Sequence, residues 1–246
     1  MRQFFLSENS IDGNVANIEG NDVHHIKNVL RLKVKDHIKL IVPNGQSYHA
    51  RIESITNKQI CTRIVQSDQK VIQPKTHVTI AQSMLKDKKM DQLIRQATEL
   101  GVSRWISYES ERSVSRPNAN RMTQKIQRWK KIAQSAAQQC SGQIPEICDQ
   151  RLNINEMLAL RTENQLGFFF WERSDNNFAP PTNCSETTSI FLVFGPEGGF
   201  SENEAACAKN AGFIISSLGP RILRAETATI AGLALIQYFF KNLALN

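Results

Sequence analysis

Two short stretches near the C-terminal end carry residues whose types and spacing suit chemistry. Glu197 lies in Gly195-Pro196-Glu197-Gly198-Gly199-Phe200, and Arg221, Arg224 and Glu226 lie in Gly219-Pro220-Arg221-Ile222-Leu223-Arg224-Ala225-Glu226. A carboxylate can take the proton of a weakly acidic N–H, and a guanidinium can stabilise the negative charge left behind. Gly198 and Gly199 can adopt φ > 0 and offer bare backbone to a ligand. One such turn also occurs as an ordinary loop. Neither G-x-x-x-x-G-K-[ST] nor G-x-G-x-x-G is present, which speaks against a phosphate-loop hydrolase or a dinucleotide site. Two glycine-bearing turns at consecutive strand ends are harder to read as punctuation.

The flanking segments predict how these residues are held. Ile190 to Phe194 is an apolar run of strand length, and Pro196 forces the chain out of it. Ser201 with Glu204 reads as a capping box, so a helix starts at once, runs to about Asn210 and stops at Gly212. A second apolar run, Phe213 to Leu218, leads into the second turn. From Ala225 to about Leu243 a helix is apolar nearly all round, through Ile230, Leu233, Leu235, Ile236, Tyr238 and Phe239, and is expected to be buried. Within it, Ala231-Gly232 permits close backbone approach. A further strand, Gly167 to Glu172, brings Phe170, Trp171 and Glu172 to the same rim. Ligands of open α/β sheets bind outside the carboxyl ends of the strands. The expected ligand-lining set is therefore Phe170, Trp171 and Glu172, Phe194 to Gly199, and Ser217, Leu218, Gly219, Arg221, Ile222 and Leu223.

Residues 1–72 read differently. A short helix from Asn21 or Asp22 to Leu30 precedes three strand-like runs, His37 to Val42, Ser47 to Ile55 and Gln59 to Val65. Asn44-Gly45 and Asn57-Lys58 supply turns, which suggests a small β-barrel. A polar stretch around Gln66 to Lys75 reads as a linker. After it, residues 73–246 open with a strand at Val78 to Gln82. A helix from Met84 to Leu100 follows, with Met90, Leu93, Ile94 and Ala97 on one face, then a strand at Trp105 to Tyr108. Lys86, Lys88 and Lys89 read as a solvated face. The most basic stretch holds Arg112, Arg116, Arg121, Lys125, Arg128, Lys130 and Lys131 without an intervening acid. On a helix Arg121, Lys125 and Arg128 share one side, with Trp129, Ile132 and Ala136 opposite. Unbroken like charge of this kind favours phosphate contact. His24, His25, Arg31 and Lys33 form a second candidate edge. Asn153 to Arg161 reads as a short helix.

The whole chain of 246 residues carries a net charge of +7 and is 41% hydrophobic, which fits a globular protein with an anionic partner. Its five cysteines are scattered, odd in number and contain no C-x-x-C pair, so neither a zinc site nor a disulfide framework is expected. No metal is expected. No uninterrupted apolar stretch reaches membrane-spanning length, the first residues are too short for a signal peptide, and a cytoplasmic location is expected.

Gly195-Pro196-Glu197-Gly198-Gly199-Phe200-Ser201 with Glu204, followed by Leu218-Gly219-Pro220-Arg221-Ile222-Leu223-Arg224-Ala225-Glu226-Thr227-Ala228, resembles the signature of the bacterial 16S ribosomal RNA uridine-N3 methyltransferases. These belong to the SPOUT class. His24-His25 to Arg31, Lys88-Lys89-Met90-Asp91 through Val102, and Ser110 to Ser113 resemble further segments of that family. Two positions depart from its pattern: Asp87 or Lys88 stands where a glycine is usual, and Ser141-Gly142-Gln143 where an arginine is common. The resemblance implies an α/β fold with helices on both faces of a mostly parallel sheet, closed by a C-terminal trefoil knot and preceded by a PUA-like RNA-gripping domain. It implies S-adenosylmethionine as cofactor, 16S rRNA or the assembled small ribosomal subunit as partner, and a homodimer formed through the last helix. Arg221 and Arg224 would then stabilise the uracil anion, Glu197 or Glu226 would act as base, and Arg112 would orient an RNA phosphate. The structural alternative is that Arg224 pairs with Glu226 at the helix start. Another SPOUT enzyme acting on tRNA or a ribose 2′-hydroxyl, and a non-catalytic RNA-binding assembly protein, remain open alternatives.

Overall fold

The computed structural model describes residues 2–42, 46–68, 75–86, 88–140, 142–179 and 188–243. The Asn44-Gly45 turn, most of the expected linker, Asp87, Ser141 and Cys184 lie outside them. The chain divides into two compact units, Met1–Gln73 and Pro74–Asn246.

The first unit is a mixed six-stranded sheet. Its strands are β1 (Arg2–Phe5), β2 (Ile11–Asp12), β3 (Val15–Glu19), β4 (His37–Ile41), β5 (Ser47–Ile55) and β6 (Gln59–Asp68). They lie in the order β1-β4-β5-β6-β3-β2, with β1 and β4 parallel and the other pairs antiparallel. The β5–β6 pairing slips twice, between His49 and Ala50 and between Ile52 and Ser54. Such bulges bend and twist long strands, and here one face wraps a single core of Phe4, Ile18, Ile26, Ile38, Leu40, Ile52 and Ile60. The expected helix is a single α turn, α1 (Asn21–His24), followed by a wider π turn over His25–Val29 that closes with the Leu30 N–H donating to the His25 carbonyl.

The second unit is a seven-stranded sheet whose pairs are all parallel. Its elements are β7 (His77–Ser83), α2 (Lys89–Glu99), β8 (Arg104–Glu109), α3 (Ala119–Cys140), β9 (Glu146–Ile147), β10 (Leu152–Asn153), α4 (Ile154–Leu158), β11 (Leu166–Phe170), β12 (Ser189–Phe194), α5 (Glu202–Asn210), β13 (Ile214–Ser216) and α6 (Ala225–Phe239). The order is β10-β8-β7-β12-β11-β13, with β9 on β8. Strand alternation decides which helices cover which face. Ile190, Leu192, Phe194, Phe168 and Phe170 pack with Met90, Leu93, Ile94, Trp129, Leu233 and Ile236 of α2, α3 and α6. Phe191, Val193 and Phe169 point the other way, onto Met157, Leu158, Ala205 and Ala208 of α4 and α5. Burying each large apolar side chain contributes about 1.5–3 kcal/mol, so residues buried on both faces explain why these central strands read as continuous apolar runs.

Two expectations need correction. Helix α2 begins at Lys89 rather than Met84, because Met84 is still held at the sheet, its N–H donating to the Tyr108 carbonyl at 2.9 Å. Helix α6 ends at Phe239 and is not buried all round: Leu235 is 39% and Tyr238 71% exposed. Its buried line is Thr229, Gly232, Leu233, Ile236 and Gln237. Gly232 faces the sheet so closely that a Cβ there would stand 2.7 Å from Phe194 Cζ.

Candidate active site

The carboxyl ends of β11, β12 and β13 open into one pocket of about 570 Å³. The first loop, Gly195 to Phe200, is held from four sides. The Tyr108 hydroxyl donates to the Phe194 carbonyl at 3.0 Å, and Gln82 Nε2 donates to the Gly195 carbonyl at 2.9 Å. The other end of the Gln82 amide meets the Thr229 hydroxyl of α6. Burial, with the Glu204 carboxylate adding to it, pushes the Tyr108 phenol well above its ordinary value, so it remains a donor. Arg112 Nη1 donates to the carbonyls of Gly198 and Phe200, each at 3.3 Å.

Glu204 is the fourth support. The expected capping box is complete: the Ser201 side chain accepts from the Glu204 N–H at 3.3 Å, and Glu204 Oε2 accepts from the Ser201 N–H at 2.9 Å. The other carboxylate oxygen accepts the Glu111 N–H at 2.9 Å. The buried Glu204 thus joins the loop to the turn at residues 110–113, whose Ser110 and Ser113 hydroxyls cluster with Ser83. Gly199 has φ +66° and a Cβ there would meet Glu172 Oε1 at 2.6 Å, so both conformation and space require glycine.

The second loop, Ser217 to Arg224, is held mainly at its start. The Ser217 N–H donates to Asn176 at 2.7 Å, the Phe178 N–H to Ser217 at 2.7 Å, and the Gly219 N–H to the Ser217 hydroxyl at 3.2 Å. Gly219 has φ +109° with open space where a Cβ would be. Ile222 is 84% exposed. Arg221 and Arg224 are exposed and, among the described residues, form no ion pair.

All the residues that the sequence pointed to as lining a ligand site border this pocket: Phe170, Trp171, Glu172, Phe194, Gly195, Pro196, Glu197, Gly198, Gly199, Ser217, Leu218, Gly219, Arg221, Ile222 and Leu223. Arg224 and Glu226 border it too. Lys89 joins them, where the sequence suggests only solvated surface. Its Nζ stands 3.3 Å from Glu197 Oε1 and 3.2 Å from Glu226 Oε2. This overturns the Arg224–Glu226 pair considered from the sequence. No sequence signal flags Lys89, because the sequence places the helix start at Met84 and only the structure sets Lys89 at the opening of α2, where the helix dipole disfavours an unpaired cation. Burial opposes the Lys89 charge, but a hydrogen bond to Glu197 and the negative charge of Glu197 and Glu226 outweigh it and hold its pKa above the ordinary value. Burial likewise opposes ionisation of Glu197. Hydrogen bonds from its own and the Lys86 N–H, and the Lys89 ammonium, more than offset this and lower its pKa.

The expected RNA-contact residues fall into several groups. His24, Arg31 and Lys33 are exposed on the first unit and His25 is half-buried. Arg121 is exposed on α3, and Lys125 lies with its Nζ 6.0 Å from the Trp129 ring centroid. Arg128 is ion-paired with Asp91 at 2.6 Å. Arg112 braces the first loop as described. Arg116 turns back on its own segment, donating to the Ser113 and Glu111 carbonyls at 3.2 and 2.8 Å. Among the described residues, no group of three or more His, Cys, Asp or Glu side chains is placed to hold a metal ion, and no helix is long and apolar enough to cross a membrane.

Comparison with known proteins matches two family models, an RNA methyltransferase domain over residues 73–237 and an RNA methyltransferase PUA domain over residues 18–65. A ribosomal RNA small subunit methyltransferase E of Aquifex aeolicus is 30% identical over 240 residues, covering 97% of this chain and 100% of the relative. The Bacillus subtilis protein of that name is 28% identical over 228 residues, covering 90% and 89%. The crystal structure of the Neisseria gonorrhoeae ribosomal RNA small subunit methyltransferase E bound to S-adenosyl methionine aligns with a TM-score of 0.88 at 27% identity, covering 98% of each chain. With its methyltransferase model spanning more than half of the sequence and a relative at 30% identity along its full length, the chain belongs to the RNA methyltransferase family, among the ribosomal RNA small subunit methyltransferase E proteins.

Proposed function

We propose that this protein transfers a methyl group from S-adenosylmethionine to N3 of a uridine in the 16S RNA of the small ribosomal subunit. The observation that carries the reading is that two glycine-bearing turns, at the ends of two different strands, border one pocket. The relatives named ribosomal RNA small subunit methyltransferase E, one of them bound to S-adenosyl methionine, support it.

The pocket fits such a donor. Phe170, Phe194, Leu218, Ile222 and Leu223 offer apolar surface for an adenine. The crowding of Gly199 against Glu172, where a Cβ would find no room, keeps backbone bare for polar contacts along Gly195 to Gly199. When bound, the donor supplies an electrophilic methyl on a sulfonium and a neutral leaving group. The chain's own residues supply position and charge. Uridine N3 must lose its proton to attack. Glu197 or Glu226 accepts it, and Arg221 and Arg224 stabilise the charge spread over the uracil oxygens.

RNA contact extends beyond the pocket. Arg121 and Lys125 on α3, with Arg95, Arg128 and Lys131 along the groove between α2 and α3, form a surface for phosphates. His24, His25, Arg31 and Lys33 form another on the first unit. Threading of α6 as a trefoil knot, pairing of two copies through exposed Leu235 and Tyr238, and a cytoplasmic site of action belong to the same reading.

The test compares small-subunit RNA from cells with and without the gene, by nucleoside mass spectrometry. Loss of one N3-methyluridine is expected. An unchanged uridine profile, or loss of a ribose methyl instead, removes the reading. Light scattering of the purified protein tests the homodimer.

A further inference from the structure

Lys89 opens α2, far in sequence from both loops. Its ammonium meets Glu197 Oε1 from the first loop at 3.3 Å and Glu226 Oε2 from the first turn of α6 at 3.2 Å. The Lys86 N–H adds a 3.2 Å hydrogen bond to the same Glu197 oxygen. Two carboxylates sharing so small a space disfavour each other's ionisation unless a cation lies between them. An ammonium at a helix N-terminus is itself unfavourable without such partners. The three groups therefore make sense together and not singly.

We propose that Lys89 is a positioning residue for methyl transfer, tying Glu197 to Glu226 across the pocket and fixing where the two carboxylates stand. The inference rests on the methyltransferase reading above. It gives the site a hinge pin: the first loop and the last helix cannot separate at this rim without breaking a charged contact. Lys89 also favours the ionised form of Glu197, whose pKa is lowered as that of Lys89 is raised. The other charged groups bordering this cluster are Lys86 (whose backbone N–H reaches Glu197), Glu172 and Arg173 beyond β11, Arg221 and Arg224 on the second loop, and Arg112 against Gly198. None of them forms an ion pair with Glu197 or Glu226 among the described residues, so no second cation replaces Lys89.

The experiment measures kcat, KM for RNA and the pH profile of methyl transfer, with full-length protein, S-adenosylmethionine and small ribosomal subunits from cells lacking the gene. Lys89→Met is expected to lower kcat about tenfold or more, to leave KM for the subunit nearly unchanged, and to move the acid limb of the kcat profile to higher pH. The sign follows from the cause: the ammonium is one of the groups that lower the Glu197 pKa, so without it that pKa rises and the ionised form is lost earlier as pH falls. Lys89→Arg restores most of kcat and the acid limb. Should Lys89→Met not fold, Lys89→Gln carries the same expectations. A wild-type kcat and acid limb in these neutral variants overturn the proposal. So does a loss that leaves the pH profile in place and that Lys89→Arg fails to rescue. A wild-type protein that methylates no subunit removes the function itself, a result distinguishable from an active wild type with an equally active Lys89→Met.

Discussion

The two loops that border the pocket are built in opposite ways. The first is anchored by side chains from β7, β8, the turn at residues 110–113 and α5, through Gln82, Tyr108, Arg112 and Glu204. The second is fixed where it leaves β13 and where it enters α6, and between those points it shows Arg221, Ile222 and Arg224 to solvent. Backbone that must present fixed donors and acceptors needs a supporting shell. On the mechanism proposed above, a segment whose charged side chains act on an incoming base needs freedom to close on it. Substitutions in the first loop's supports should therefore cost stability, and those in the second should cost activity.

The largest effect is expected on the second loop. Arg224→Ala is expected to lower turnover about 100- to 1000-fold, the usual loss when one charge-stabilising donor is removed. Because Arg224 is exposed, stability should change by less than about 0.5 kcal/mol. Single-turnover methylation beside thermal melting checks both halves. A melting temperature that falls with activity would erase the contrast between the loops.

Glu204→Ala comes next and tests the first loop. It strips acceptors from the Ser201 and Glu111 N–H groups in a buried place, and unsatisfied buried donors cost about 1–3 kcal/mol each. A loss of about 2–4 kcal/mol in urea denaturation is expected on that basis. Glu204→Gln, which keeps one acceptor oxygen, should recover about half of it.

A smaller effect is expected at the joint between the loops. Gly232 lets α6 lie against Phe194, and Gly232→Ala would drive a Cβ to 2.7 Å from its ring. Overpacking of this kind costs about 1–3 kcal/mol, while the helix gains up to about 1 kcal/mol from alanine. The net loss should be about 1 kcal/mol, with weaker donor binding by calorimetry because the second loop enters through α6.

Much of this was legible in the residue string because local rules and the fold agree. The capping box at Ser201 and Glu204, the stop at Gly212 with φ +81° and the strands ending at Phe170 and Phe194 follow from short-range sterics and burial. What the string hid was partnership. Glu204 reads as a cap but also reaches Glu111, Lys89 reads as surface but pairs with two acids, and Arg128 reads as free but holds Asp91. Each of these contacts joins residues tens of positions apart, where spacing carries no information. The outer face of α6 escapes the string for a related reason: composition records that Leu235 and Tyr238 are apolar, not whether this chain covers them.

The mildest expected effect is at Tyr108, and it sharpens the account of the first loop through its pH dependence. The phenol is buried and donates to the last carbonyl of β12. Tyr108→Phe removes that hydrogen bond and should cost about 1 kcal/mol near neutral pH. The gap should not stay constant. Burial raises the folded-state pKa above the ordinary 10.0, so the unfolded chain releases the Tyr108 proton first as pH rises. Wild-type stability is then intact below that ordinary value and falls as pH climbs from there toward the folded pKa. The Tyr108→Phe variant has no proton to lose at this position and lacks that decline. Urea denaturation of the two proteins across alkaline pH should show their curves converging above pH 10, whereas parallel curves would mean that the phenol is open to water and does not hold the loop.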